Sequence, residues 1–201
     1  DCVDVRNGSG LNFTVIPGRG LDIAWAEFRG VPFSYISRCG LTGTGQYDPR
    51  GMEWLKNFAA GLLTTCGLSN VGGPCSENRP VVGKREYGLH GRINQLPADN
   101  VCVETEWDPV CGYSVTVRGT VTEATVHDEF FTLTREITTA LGENRIVILD
   151  RIENESRTAV PIMYLYHFNF GYPFLGPLCE LTIENSRVEP GNGMSARELE
   201  R

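Results

Sequence analysis

The chain has 201 residues, 41% of them hydrophobic and 21% charged, with a formal net charge of −7. These fractions are ordinary for a globular protein, and a chain of this length buries enough apolar surface to fold without staples. Acids and bases are scattered, and no lysine or arginine cluster is dense enough to follow a phosphate backbone or an anionic bilayer. Neither nucleic acid nor a membrane is therefore an expected partner.

No apolar run approaches the roughly 20 residues of a spanning helix. Residues 1–6 have neither the basic start nor the apolar stretch of a signal peptide. The chain starts without Met and ends on a polar segment, so the expectation is a single domain over 1–201 that is incomplete at both ends.

Strand signals dominate in chain order. Residues 11–16 end at a Pro-Gly turn, and residues 21–28 alternate in part before Arg29-Gly30. The two runs 21–28 and 33–36, separated by that glycine, predict a hairpin. Residues 39–100 hold many glycines and few clean strands, which reads either as a loose stretch or as a loop region that carries a binding site. Within it, Trp54, Leu55 and Phe58 have helical spacing, which predicts a short helix or an irregular excursion over 51–60. Further strands are predicted over 101–107, 113–121, 130–138, 145–154, 161–170 and 180–185, all rich in Val, Ile, Thr, Tyr and Phe. Spaced strands with Gly, Asn, Asp and Pro between them predict an all-β sandwich or barrel.

The seven cysteines are Cys2, Cys39, Cys66, Cys75, Cys102, Cys111 and Cys179, with no C-x-x-C. The expectation is free thiols in a reducing, cytoplasmic compartment, with disulfides in a secreted protein as the alternative. No metal-ligand spacing, P-loop or nucleophile elbow occurs, so no metal and no cofactor is expected. A Cys66–His90 nucleophile pair is open on sequence alone, but nothing marks Cys66 as activated.

Three histidines carry the remaining interest. His90 sits in Gly88-Leu89-His90-Gly91-Arg92, where the glycines let backbone and ligand approach; the ordinary alternative is a turn histidine bonded to a carbonyl. In Leu165-Tyr166-His167-Phe168-Asn169-Phe170, strand alternation puts Leu165, His167 and Asn169 on one face. Tyr166, Phe168 and Phe170 take the other, which reads equally as a site wall or as a solvated face over an aromatic core. His127 reads as an exposed turn residue.

Taken together, several segments resemble the aldose 1-epimerase-like (galactose mutarotase-like) superfamily and, within it, a little-characterised branch. The resemblance lies in Pro17-Gly18-Arg19-Gly20-Leu21-Asp22-Ile23, Trp54-Leu55, residues 61–68, Tyr87-Gly88-Leu89-His90-Gly91-Arg92 and residues 165–173. It implies a β-supersandwich of large, mostly antiparallel sheets with little helix and a concave sugar cleft. It also implies that His90 is a site histidine and His167 the general acid, with a late glutamate as base and a late aspartate on the sugar. Glu189, Glu198 and Glu200 stand too close to the end to fill these places. Arg92 stands where the best-known epimerases carry a second glycine, and their upstream sugar-binding arginine has no clear counterpart, with Arg19 and Arg50 as the candidates to stand in for it.

The chemistry implied is anomer interconversion, in which a base takes the C1 hydroxyl proton while an acid protonates the ring oxygen. Histidine suits the acid role because it titrates near neutrality. Arg92, Asn169, Asn94 and Arg19 are candidate hydrogen-bonding residues, and Trp54, Tyr87 and Tyr172 candidate stacking surfaces, for a small-molecule carbohydrate. The alternatives are a carbohydrate-binding protein without turnover and a lyase or isomerase acting on an unusual sugar acid. The oligomeric state is not legible.

Overall fold

In the computed structural model, which describes residues 1–110 and 112–184, twelve strands account for nearly all regular structure. They are β1 (Val3–Arg6), β2 (Leu11–Ile16), β3 (Asp22–Phe28), β4 (Val31–Pro32), β5 (Leu63–Leu68), β6 (Cys75–Arg79), β7 (Gly83–Tyr87), β8 (Ala98–Asp108), β9 (Gly112–Ala124), β10 (Phe130–Ala140), β11 (Val147–Asn154) and β12 (Met163–Phe168). Helix among the described residues is limited to short 3₁₀ turns at Thr44–Gln46, Glu53–Asn57 and Ile93–Gln95. None of these is long and apolar enough to cross a membrane.

One sheet runs β1-β2-β3-β5-β12, with β4 paired to β3; the second runs β11-β10-β9-β8; β6 and β7 form a separate hairpin. All strand pairings are antiparallel. The two large sheets pack face to face, and this is the all-β sandwich that the strand pattern predicts.

The core lies between them, where Val5, Phe13, Val15, Ile23 and Leu63 of the first sheet meet Val117 and Ile137 of the second. A neighbouring cluster joins Leu68 and Ile93 to Val121, Phe131 and Leu133. β10 shows the period plainly: Phe131, Leu133, Arg135, Ile137 and Thr139 are buried while the intervening residues are partly exposed. Fully burying each such aliphatic or aromatic side chain is worth about 1.5–3 kcal/mol.

Arg135 is the polar member of that buried row. Its guanidinium donates to Asp22 on β3 at 2.7 Å and to Asp150 on β11 at 2.7 and 2.8 Å. It also donates to the Tyr164 hydroxyl at 2.8 Å. Asp22 in turn accepts from the Thr65 amide at 2.9 Å and the Thr65 hydroxyl at 2.5 Å. A buried charge is tolerable when every donor has such a partner, and this network rivets the two sheets together beneath β5 and β12.

The strands over 101–107, 113–121, 130–138, 145–154 and 161–170 are found, with shifted ends. The early hairpin returns through β4, not through residues 33–36, which make only isolated bridges, Ser34 to Phe170 and Ile36 to Ala60. No strand occupies residues 180–184, and Asn185 lies outside the described residues. β1, β5, β6 and β7 are strands that the sequence pattern does not predict.

Candidate functional site

The site is built on the outer face of β5 and β12, opposite the core. Register pairs Leu63 with Phe168 and Thr64 with His167, so the core residue Leu63 and His167 face opposite ways. Cys66 lies on the His167 face and packs with Trp54 and Leu89, flanked by Tyr47, Phe58 and Val71. The 51–60 excursion supplies two of these rings, since the turn at Glu53–Asn57 buries Trp54 and leads directly to Phe58.

His90 arrives from the loop after β7, and the glycines around it are there for contact. A Cβ on Gly88 would sit 2.3 Å from the Pro49 carbonyl oxygen. One on Gly91, whose φ is +68°, would sit 2.4 Å from the Gly67 carbonyl oxygen. His90 itself has φ of +59°, a left-handed conformation that costs a non-glycine residue about 1 kcal/mol or more. It is held there by a reciprocal pair with Gly72: the His90 amide donates to the Gly72 carbonyl at 3.0 Å, and the Gly72 amide donates to His90 Nδ1 at 3.2 Å.

Four rings close a circuit. Trp54 stacks on Phe58 at 4.6 Å between centroids and meets His90 edge-on at 5.1 Å. Phe58 meets His167 at 5.4 Å, and the two imidazoles lie 5.8 Å apart with their planes at 82°. Because His90 Nδ1 accepts a hydrogen bond, the neutral ring carries its proton on Nε2. Burial, and then the neighbouring His167, hold the His90 pKa below its ordinary value, which favours that neutral form. His167 Nδ1 is buried without a partner. The arrangement thus sets two imidazoles side by side, with His90 offering its Nε2–H as a donor.

The other expected site residues divide. Trp54 and Asn94 are each 2% exposed and bond to one another, Trp54 Nε1 donating to Asn94 Oδ1 at 3.2 Å. Arg19 is buried and donates to the Thr42 and Asn57 carbonyls at 2.9 and 2.8 Å. Asn169 lies two residues from His167, and its amide donates to the Gly61 and His167 carbonyls at 3.0 and 2.9 Å. Arg92 turns toward β9, donating to the Ala124 carbonyl at 2.6 Å and pairing with Glu123 at 3.5 Å. Tyr87 on β7 is half-buried beneath the Arg85 guanidinium, 5.4 Å from its ring centre, while Tyr172 is exposed. Arg50 is exposed and paired with Asp48. His127 lies in the turn between β9 and β10, with φ of +65°.

The residues around the imidazoles that sequence reasoning does not assign to the site are Phe58 and Gly72. Phe58 shares the helical spacing with Trp54, whereas nothing distinguishes Gly72 from other loop glycines. Cys66 is fully buried, and burial, with Asp22 nearby, pushes its thiol pKa up to about 12; it is not an activated nucleophile. Among the described residues, no carboxylate hydrogen bond or ion pair to either imidazole is found. No group of three or more His, Cys, Asp or Glu side chains there is arranged to hold a metal ion.

A β-sandwich with this topology is the fold of aldose 1-epimerase-like proteins. The chain is similar to a solved structure from Klebsiella pneumoniae subsp. pneumoniae MGH 78578 described as a "putative aldose 1-epimerase", with 25% sequence identity and a TM-score of 0.76. The similarity covers 87% of this chain and 44% of that one, so the chain spans less than half the length of the protein it resembles. No curated protein matches it. Residues 1–201 match the model of the family described as "Domain of unknown function (DUF4432)", and the chain belongs to that family.

Proposed function

We propose that the protein of which this chain forms part binds a small sugar against the His90–His167 pair and interconverts its anomers by general acid/base catalysis. The observation carrying this reading is the pairing of two half-buried imidazoles with planes at 82°, one with its tautomer set by the Gly72 amide and the other with a buried Nδ1 that has no partner. His167 is the acid: as the imidazolium it gives its Nε2 proton to the ring oxygen and is left neutral, as a base takes the C1 hydroxyl proton. The C1–O5 bond then breaks to give the open aldehyde. Rotation about C1–C2 and reversal of the two proton transfers deliver the other anomer. His90, kept neutral, donates a hydrogen bond that orients the ring oxygen. Trp54, Asn94, Arg19 and Asn169 act as positioning residues that hold the imidazoles and the surrounding loops. Arg92 and Tyr87 bind hydroxyls at the rim. The base in this reading is a carboxylate outside the described residues.

The test is NMR exchange between anomers, on the complete reading frame, with a panel of hexoses, pentoses and uronates. Accelerated exchange is expected with one class of sugar. His167→Ala should lower it by about 10²–10⁴-fold, the usual worth of one well-placed proton transfer. Undiminished exchange in that variant would sink the reading.

A second reading has its own support, because no carboxylate of the described residues meets the imidazoles. It is a carbohydrate-binding protein without turnover. Calorimetric binding of a sugar whose anomers exchange no faster than in buffer would select it.

A further inference from the structure

One groove on the sheet surface does not belong to the histidine cluster. It measures 570 Å³ and lies on the outer face of β1, β2 and β3. Its floor is set by strand alternation. Val5, Phe13 and Ala26 point into the core at 5%, 3% and 2% exposure, which leaves Asp4, Arg6, Asn12, Thr14, Trp25 and Glu27 on the open side. By the same alternation this is the sheet face that carries Thr64 and His167 farther along. The stretch 33–37 separates the two regions, since Ser34 bridges to Phe170 and Ile36 to Ala60 across the sheet. The groove is thus a separate place on the molecule, and binding there does not depend on anomer exchange at the histidines.

Three features define what would fit. Trp25 is 47% exposed and, unlike Trp54 and Trp107, makes no contact with another aromatic ring among the described residues, so its indole is available to a ligand ring. Around it the polar groups come in couples that are already held. Asn12 Nδ2 donates to Glu27 Oε1 at 2.8 Å, and the Thr14 hydroxyl donates to Asp4 Oδ1 at 2.7 Å. Each couple retains unused acceptors, and Asn12 keeps a second N–H, so adjacent hydroxyls could both donate and accept with little ordering cost. Third, two carboxylates stand against the single guanidinium of Arg6, a balance that disfavours an anionic ligand. Trp25 is the one large apolar surface the groove offers, which disfavours an apolar peptide. The volume falls within the roughly 300–1,000 Å³ of ordinary ligand sites.

We propose that this groove is a binding site for a neutral oligosaccharide, with one pyranose ring stacked on Trp25 and its hydroxyls bonded to the Asn12–Glu27 and Asp4–Thr14 couples. The experiment labels the full chain with 5-fluorotryptophan and assigns the three tryptophan signals by single Trp→Phe variants. Maltotriose, cellotriose and xylotriose are titrated as probes, with trigalacturonate as the anionic comparison. At least one neutral trisaccharide should move the Trp25 signal saturably while the Trp54 signal stays in place. Asn12→Ala should weaken that binding about tenfold, and His167→Ala should leave it unchanged. Trp25→Thr, which keeps a strand-forming residue at the position, should abolish it.

A Trp25 signal unmoved by every neutral probe at about 10 mM would overturn the proposal, since millimolar binding is the least that one stacked and hydrogen-bonded ring should give. So would preferential binding of trigalacturonate, or a shift that depends only on protein concentration and so reports a second copy of the chain.

Discussion

The two faces of the β5–β12 ribbon treat polar groups in opposite ways. On the core side, Thr65, Tyr164 and Tyr166 converge with Arg135, Asp22 and Asp150 in a network in which each group is bonded. On the outer side, one strand position away, His167 keeps a buried nitrogen without a partner and touches its neighbours through ring contacts. Saturated hydrogen bonding holds a fold in place; unspent capacity is what a site needs for a ligand. The same pair of strands carries both because alternation sends successive residues to opposite environments.

The largest expected effect tests the saturated side. Arg135→Met removes the cation between Asp22 and Asp150 and leaves both carboxylates buried without it. A loss of about 3–5 kcal/mol in folding stability is expected, read from urea unfolding. His167→Ala, by contrast, should leave the unfolding midpoint nearly in place while removing the acceleration of anomer exchange. If Arg135→Met proved as mild as His167→Ala, the contrast between the faces would have no energetic content.

Intermediate in size is Trp54→Phe, which deletes the indole N–H bonded to Asn94 and trims a buried ring. A cost of about 1–3 kcal/mol is expected in unfolding experiments, from the orphaned Asn94 oxygen and the lost volume. Tyr166→Phe is milder, because its ring is 38% exposed and Asp150 keeps its bonds from Arg135 and Tyr164. About 0.5–1 kcal/mol should be lost; a larger value would show that Asp150 depends on its exposed donor.

How much of this can be read from the sequence depends on which faces are covered. β9, β10 and β11 alternate because one side of their sheet faces solvent, and their periodicity shows in the sequence. β5 is buried at all six positions, so no alternation marks it, and its glycine argues against a strand. The His167 face is legible for the converse reason, since β12 is an outer strand with two distinct sides. Partners are less legible than faces. Arg92 meets Glu123 and Ala124, and Trp54 meets Asn94; these pairings exist only after the sheets assemble. Type and spacing pick out candidate residues, but they do not show whether the polar atoms of those residues are already engaged.

The smallest effect probes His90, and its sign comes from linkage. Burial and His167 hold its folded pKa below the ordinary 6.5. As pH falls through that value, the unfolded chain takes up a proton before the folded one does. His90 therefore contributes stability that is fully present above about pH 6.5. That contribution declines as the pH drops toward the folded pKa and is constant below it. Urea midpoints measured between about pH 7.5 and 5 should fall more steeply for the parent chain than for His90→Ala, which lacks the titration. The Gly72 amide sharpens the case, because its hydrogen bond to Nδ1 requires the unprotonated nitrogen. Protonation would set two N–H groups against each other and release the loop that presents His90 to the cleft. Identical slopes in the two proteins would mean that His90 titrates alike folded and unfolded, and the neutral donor role assigned to it would then lose its support.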